Sequence, residues 1–545
     1  MPPLRLTGIA RSLRTLPMPG LGPAKRWLFL THRWLGVLLC AFFAMWFFSG
    51  IVMMYVGYPQ LTEAERTAHL PTLGDGAGLL EPAAALATAG LSQTPLADLR
   101  LAVASGGQAV YLVRPESAPP RLAATVIDAR TGEVLQAVDA IRARASAMAW
   151  AGSGVAADHE GTLQEDAFTH SRGLDAHRPL HRVRLHDADD TVLYVSGTTG
   201  EVVRDAPRTE RLWGYVGTWI HWLYPLRGNA LQPYWSATVN TLAVAGTLAA
   251  LAGTVAGLQR WRFRGRYRSG ARTPYPTRAM RWHHVLGLAF SLATIAWIFS
   301  GFMSMNPWKL FDSGAPPLRM ASLQGGPLTM AEPAGDSARQ APLAALLAQA
   351  GGATRELRWV RATGRTLVLA QPAQGAPEVL DTATAAPTAI DATALQHGIA
   401  GLVAAPLVRM DTLAHYDLYY YARASHTMTG APAKPLPVLR AVFADEHATW
   451  VHVDPRTGAV MGRLDDHRRA SRWLFAMLHS WDWVPLLERR PLWDAVMLLL
   501  GLGGAALSGT GMVIGWRRLR RKASQSGKAG QAGKTQTAKR PVARA

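Results

Sequence analysis

The chain has 545 residues, of which 49% are hydrophobic and only 17% charged, with a mean hydropathy of +0.04. This composition excludes a disordered or collagen-like chain. The net charge is +20 and Cys40 is the only cysteine, which excludes a disulfide framework, a CxxC zinc site and a covalent CxxCH haem attachment within the chain.

In chain order, a basic N-terminus (1–27) leads into a first apolar stretch, 28–56, and three more follow at 235–258, 283–305 and 492–516. Each exceeds the roughly 20 residues needed to cross a bilayer, so the reading is four transmembrane helices. The first is too long, too rich in Trp and Phe, and too poor in small residues at its end to be a cleaved signal peptide. Residues 1–33, 259–282 and 517–545 hold 24 of the 57 Lys and Arg and no acid, while the rest carries 33 basic and 37 acidic residues. The excess charge thus flanks the apolar stretches, and the positive-inside rule places the N-terminus, the 259–282 loop and the 517–545 tail in the cytoplasm. The tail is expected to be disordered and to contact anionic lipid. Two large regions, 57–210 and 306–468, fall outside, each followed by an interfacial segment (211–234 and 469–491). A nucleic-acid binder would carry its charge on a folded face, so no nucleic-acid partner is expected.

The chain repeats itself. A shift of 251 residues lays His32 on His283, Gly36 on Gly287, Trp46 on Trp297 and Ser49-Gly50 on Ser300-Gly301. A shift of 258 lays Arg211 on Arg469, His221 on His479, Trp235 on Trp493, Gly246 on Gly504 and Gly253 on Gly511. The expected fold class is therefore an α-helical membrane protein with α+β extracytoplasmic domains. Its core would be a four-TM-helix bundle from a two-fold duplication, each half carrying one external module. Within the modules, 81–90 and 342–351 read as short helices. Ala124–Val138, Val192–Val203 and Thr449–Met461 read as hairpins about Gly-bearing turns. The Ala- and Pro-rich stretch 371–393 reads as a linker.

Ionisable side chains at membrane depth are costly and mark function. Among the 17 histidines, the duplication picks out four. His32 and His283 open the first and third stretches at one depth; His221 and His479 precede Trp235 and Trp493 at another. Two symmetry-matched imidazole pairs at two levels are what bis-histidine haem b requires, giving two haems with irons held by His32, His283, His221 and His479. His284 competes with His283 but faces about 100° away on a helix. Gly36, Gly287, Gly246 and Gly504 offer close helix approach or room for a flat ring. Arg33, Arg281, Arg211 and Arg469 are suited to pair with propionates. The alternatives are interfacial histidines that bind nothing, and zinc, for which no tetrahedral set is evident. The run Asp411–Tyr421 is either a strand packing its rings or an external substrate site. Catalytic residues are not identifiable, and no nucleotide or flavin motif is present.

The segments THRWLGVLLC, MWFFSGIVMMYVGYP, RWHHVLGLAF, WIFSGFMSMNPW, YDLYYYAR, HATWVHVDPRTGAVMGRLD and RPLWDAVMLLLGLGGAALSGTGMVIGWRRLR resemble the PepSY-associated transmembrane family. That family includes bacterial iron-regulated inner-membrane proteins and ferric-siderophore reductases. The resemblance implies periplasmic PepSY modules and, in reductase members, two b-type haems, which carries the ligand role onto His32, His283, His221 and His479. The expected function is an inner-membrane di-haem oxidoreductase. It would take electrons from a cytoplasmic or membrane donor and reduce a periplasmic acceptor, a ferric siderophore. The alternative is a non-catalytic, membrane-anchored PepSY interaction protein in iron uptake.

Overall fold

The computed structural model describes residues 21–119, 122–330, 340–423 and 434–537. Most of the basic N-terminus and the last eight residues of the tail lie outside them. The chain forms two compact units, one drawn from Met1–Phe48, Ala237–Met305 and Asp494–Ala545, the other from Ser49–Ser236 and Asn306–Trp493.

The first unit is helical. Among the described residues, three helices are long and apolar enough to cross a membrane: α1 (Leu21–Met53), α2 (Trp235–Arg260) and, counting after the two short helices below, α5 (Arg490–Thr537), whose apolar part ends by Arg521. The third apolar stretch does not form one such helix. It is split into α3 (Arg278–Ala289) and α4 (Ser291–Ser304), which meet at 68°. The expected four-helix bundle is corrected accordingly. At the break Phe290 leaves the helical region (φ −109°, ψ 8°), and the Ser291 hydroxyl donates to the Leu288 carbonyl at 3.2 Å. A side chain that competes for the backbone ladder in this way bends a helix, while hydropathy averaged along the stretch passes over it. Residues 517–537 continue α5 as helix.

The second unit is dominated by antiparallel sheet, which enlarges the α+β expectation and changes its plan. The first half supplies β1 (Leu96–Ser105), β2 (Gln108–Pro115), β3 (Thr125–Asp128), β4 (Val134–Leu135), β5 (Ala157–Leu163), β6 (Leu180–Leu185), β7 (Val192–Ser196) and β8 (Val202–Ala206). The second half supplies β9 (Thr354–Ala362), β10 (Arg365–Pro372), β11 (Glu378–Asp381), β12 (Leu407–Leu413), β13 (Val438–Phe443), β14 (Trp450–Val453) and β15 (Val460–Leu464). The halves do not fold as separate modules. Their strands join in one seven-stranded sheet, β11-β10-β9-β1-β2-β3-β4, through antiparallel pairing of β1 with β9. Each half would otherwise leave an apolar edge strand open, and pairing the two edges removes that liability. Alternation along the paired strands sends Leu99, Leu101, Leu357 and Trp359 into one core with Leu86 and Leu346 from the helices at 82–88 and 343–350. The polar side of the seam is held by Arg100, which bonds Asp98, Glu201 and Glu356 at 3.0, 3.2 and 3.3 Å.

Each half adds a four-stranded sheet, β5-β6-β7-β8 or β12-β13-β14-β15. The expected hairpins appear as β3-β4, β7-β8 and β14-β15. The stretch 371–393 is less of a linker than its composition implies, since it contains β11. Of Asp411–Tyr421, only the start is strand. The chain then turns at Asp417, whose carboxylate accepts the Tyr419 and Tyr420 amides, and Tyr420 stacks on His452 with ring centres 4.9 Å apart.

One acidic cluster gives the unit a pH dependence. Burial, reinforced by Glu65, pushes Asp205 up to about 6; burial, then Asp205 and Glu65, push Glu210 up to about 7. Asp205 Oδ1 is buried with no hydrogen-bond partner among the described residues. Both groups hold protons in the folded chain that the unfolded chain has released, so their stabilisation is full below the ordinary carboxylate range and lost as pH rises through 6–7. The melting temperature should fall between pH 5 and pH 8. Asp205→Asn with Glu210→Gln should remove much of that fall, on the order of 1 kcal/mol at pH 8 after allowance for solvent screening. Differential scanning fluorimetry at both pH values checks it, and an unchanged slope in the double variant would contradict it.

Candidate functional site

Within the helical unit, α1 carries His32 and α3 carries His283, and the two rings face each other with centres 6.1 Å apart and planes at 32°. His32 Nδ1 donates to the Ala249 carbonyl at 3.0 Å. His283 Nδ1 donates to the Leu507 carbonyl at 3.3 Å and lies 3.1 Å from Thr510 Oγ1. Ala249 and Leu507 are equivalent under the 258-residue shift, so the duplication reproduces the anchor as well as the imidazole. A carbonyl acceptor at Nδ1 fixes the tautomer and leaves the Nε2 lone pair for another partner.

One helical turn beyond each carbonyl sits a glycine. A Cβ on Gly253 would come within 2.4 Å of His32 Cε1, and one on Gly511 within 3.4 Å of His283 Cε1. The two rings thus rest on bare backbone. The glycines singled out from sequence behave differently. Gly246 and Gly504 receive Phe43 and Phe47, Gly287 approaches Leu507, and a Cβ on Gly36 would meet nothing within 4 Å. Gly253 and Gly511 were legible as repeat matches, two turns after Gly246 and Gly504, but not as seats for the histidines.

Within the β-rich unit, His221 and His479 form the second pair, with ring centres 6.2 Å apart and planes at 79°. Both are presented by the same local device. Each follows a π-helical turn, Tyr215–Trp219 or Arg472–Met477, a feature common at functional sites. Two residues later the chain enters the left-handed region, at Leu223 (φ 53°) and Trp481 (φ 49°). The Trp235 indole then donates to the Trp222 carbonyl at 2.7 Å, and the Trp493 indole to the Ser480 carbonyl at 3.1 Å. Each indole pins the residue that follows the histidine. Ser49 Oγ hydrogen-bonds His221 Nδ1 at 3.0 Å, and Phe475 packs 5.6 Å from the His479 ring.

These separations carry chemical meaning. A metal–imidazole bond of about 2 Å and a nitrogen-to-centre distance of about 1.1 Å put the centres of two imidazoles on opposite sides of one ion about 6.2 Å apart. Both pairs lie near that spacing, so their ring separation is compatible with two imidazoles sharing one ion.

His284 does not share this position. It is buried, accepts from Thr273 Oγ1 at 2.7 Å and donates to the Gly257 carbonyl at 2.9 Å, so both ring nitrogens are engaged. Arg211 and Arg469 are engaged with backbone: Arg211 donates to the Asp190 and Ala206 carbonyls, each at 2.6 Å, and Arg469 to the equivalent Ala448 carbonyl at 2.8 Å. Arg33 and Arg281 are exposed, next to His32 and two residues before His283.

The profile of a family described as the PepSY-associated TM region matches residues 29–393. That range includes His32, His221, His283 and His284 and ends before His479. No curated protein matches the chain.

Proposed function

We propose, from the premise that this chain belongs to the PepSY-associated TM-region family and is a membrane protein, that it moves electrons across the bacterial inner membrane to an acceptor outside the cytoplasm, a ferric siderophore. The observation that carries the proposal is the spacing of the two histidine pairs, 6.1 and 6.2 Å between ring centres. A b-type haem held by each pair would supply a reversible one-electron couple. The protein's own part is to hold the imidazoles. The Ala249 and Leu507 carbonyls orient His32 and His283. The π-helical turns and the Trp235 and Trp493 indoles set the backbone that presents His221 and His479. By the positive-inside rule the basic segments beside α1, α2 and α5 favour the cytoplasmic face for those ends, where a cytoplasmic or membrane donor would deliver electrons. The acceptor follows from coordination chemistry: hard oxygen ligands hold ferric iron tightly and ferrous iron poorly, so adding one electron releases it.

The test is a reduced-minus-oxidised spectrum of the full chain purified in detergent from haem-replete cells. Two b-type haems per chain are expected, falling to one in His32→Ala and to one in His221→Ala. A colourless protein would overturn the proposal and leave a membrane-anchored interaction protein of iron uptake.

A further inference from the structure

A second constellation lies in the β-rich unit, among residues that the histidine pairs do not use. His447 comes from the turn between β13 and β14, and Asp466 and His467 open the short helix Asp466–Ser471. One ligand atom from each of the three lies within 4.8 Å of the other two. Asp466 Oδ1 is 3.4 Å from His447 Nδ1, and the two rings are 5.9 Å apart.

The surroundings pre-orient the imidazoles. His467 Nδ1 donates to the Leu310 carbonyl at 2.7 Å, leaving its Nε2 as the available donor atom, the arrangement that metal-ligating histidines adopt. The His447 ring lies against Gly314, where a Cβ would come within 2.7 Å of its Cε1. The loop carrying Leu310 and Gly314 therefore supports both rings.

The duplication separates what the fold needs from what it does not. Under the 258-residue shift the equivalents of His447, Asp466 and His467 are Asp189, Arg208 and Thr209. The backbone contact survives in both copies: Asp466 N donates to the His447 carbonyl at 3.1 Å, and Arg208 N to the Asp189 carbonyl at 2.9 Å. The same turn thus forms without the three ligating side chains, and only one copy carries them. Packing does not account for them.

We propose that His447, Asp466 and His467 bind one divalent first-row transition-metal ion. Two imidazoles and one carboxylate suit zinc or ferrous iron better than calcium or magnesium, which take oxygen ligands. Ligand bonds of about 2.0–2.2 Å are reached from the present spacing by small side-chain adjustments. Three protein ligands leave coordination positions open, and the exposed Asp466 places them toward solvent, so the ion should exchange. The proposal stands apart from the haem reading, because none of its residues belongs to either histidine pair.

The test is equilibrium dialysis of the untagged full chain in detergent against zinc, with metal counted by mass spectrometry. One zinc per chain is expected beyond any background. His447→Ala and His467→Ala should each weaken it at least tenfold, and the exposed His397→Ala should leave it unchanged. Asp466→Asn, which keeps the side chain's shape, should also weaken it, so the result does not depend on a variant that fails to fold. Wild-type protein that retains no zinc, or folded His467→Ala and Asp466→Asn proteins that retain as much as wild type, would overturn the proposal.

Discussion

Gly253→Ala is expected to lose the haem of the His32–His283 pair while both ligands remain in the chain. The new Cβ would lie 2.4 Å from His32 Cε1 and 2.6 Å from its Nδ1, where apolar contacts settle near 4 Å. The ring must move by more than 1 Å, and the hydrogen bond to Ala249 cannot survive that shift. Overpacking costs about 1–3 kcal/mol, so the chain should still fold. The repeat supplies the controls. At Gly511 the new Cβ would lie 3.4 Å from His283 Cε1 and 3.5 Å from Cys40 Cβ, so Gly511→Ala should disturb its histidine less. At Gly36 nothing lies within 4 Å, and Gly36→Ala should retain both haems. The haem-to-protein ratio should therefore rank Gly253→Ala lowest and Gly36→Ala at wild type. Equal ratios for these two would show that the glycine seat does not position His32.

The sequence made the histidine pairs legible because duplication supplies two independent copies of one constraint. His32 matches His283 at one shift, His221 matches His479 at another, and the four then sort by depth. It favoured His283 over His284 by the repeat match with His32 and by helical phase, but gave no role for His284. That role rests on Thr273 and Gly257, which engage both nitrogens of His284 from positions with no recognisable spacing. The arginines show the converse. Arg211 and Arg469 matched in the repeat as the histidines did, but what their positions share is a pair of backbone carbonyls. A repeat match marks a shared constraint and does not say which one.

The same limit explains the fold. Alternating apolar residues about Gly-bearing turns located the hairpins, because a strand's period is local. The pairing of β1 with β9 is not local: it joins residues about 250 positions apart, and an edge strand has the same pattern whether its partner is its own copy or solvent. The break at Phe290 was hidden for a different reason. The stretch 283–305 is largely apolar, and Ser291 is one of four hydroxyl-bearing residues within it, so its pattern does not single out the point at which the ladder is interrupted.

The largest loss of stability is expected at Arg472 and Asp482. Their side chains are 6% and 1% exposed, with Nη1 2.6 Å from Oδ1, and Arg472 also donates to the Leu418 and Asp482 carbonyls at 2.6 and 3.1 Å. The pair brackets His479: Arg472 begins the π-helical turn before it, and Asp482 follows the left-handed Trp481 after it. The first half holds His221 without such a clamp. Its equivalents are Gly214 and Tyr224, and Tyr224 instead packs its ring against Tyr58 and Trp222. Removing one member of a buried ion pair leaves the other charge unpaired and costs about 3–5 kcal/mol, whereas replacing both with apolar residues is often nearly neutral. Arg472→Leu and Asp482→Leu should therefore each lower the melting temperature sharply and cost the haem of the His221–His479 pair. The double variant should recover most of the stability. If it also recovers the haem, the clamp acts through packing. If it is stable but lacks that haem, the ion pair itself sets the backbone that aims His479. Three variants of equal stability would show that the pair carries neither role.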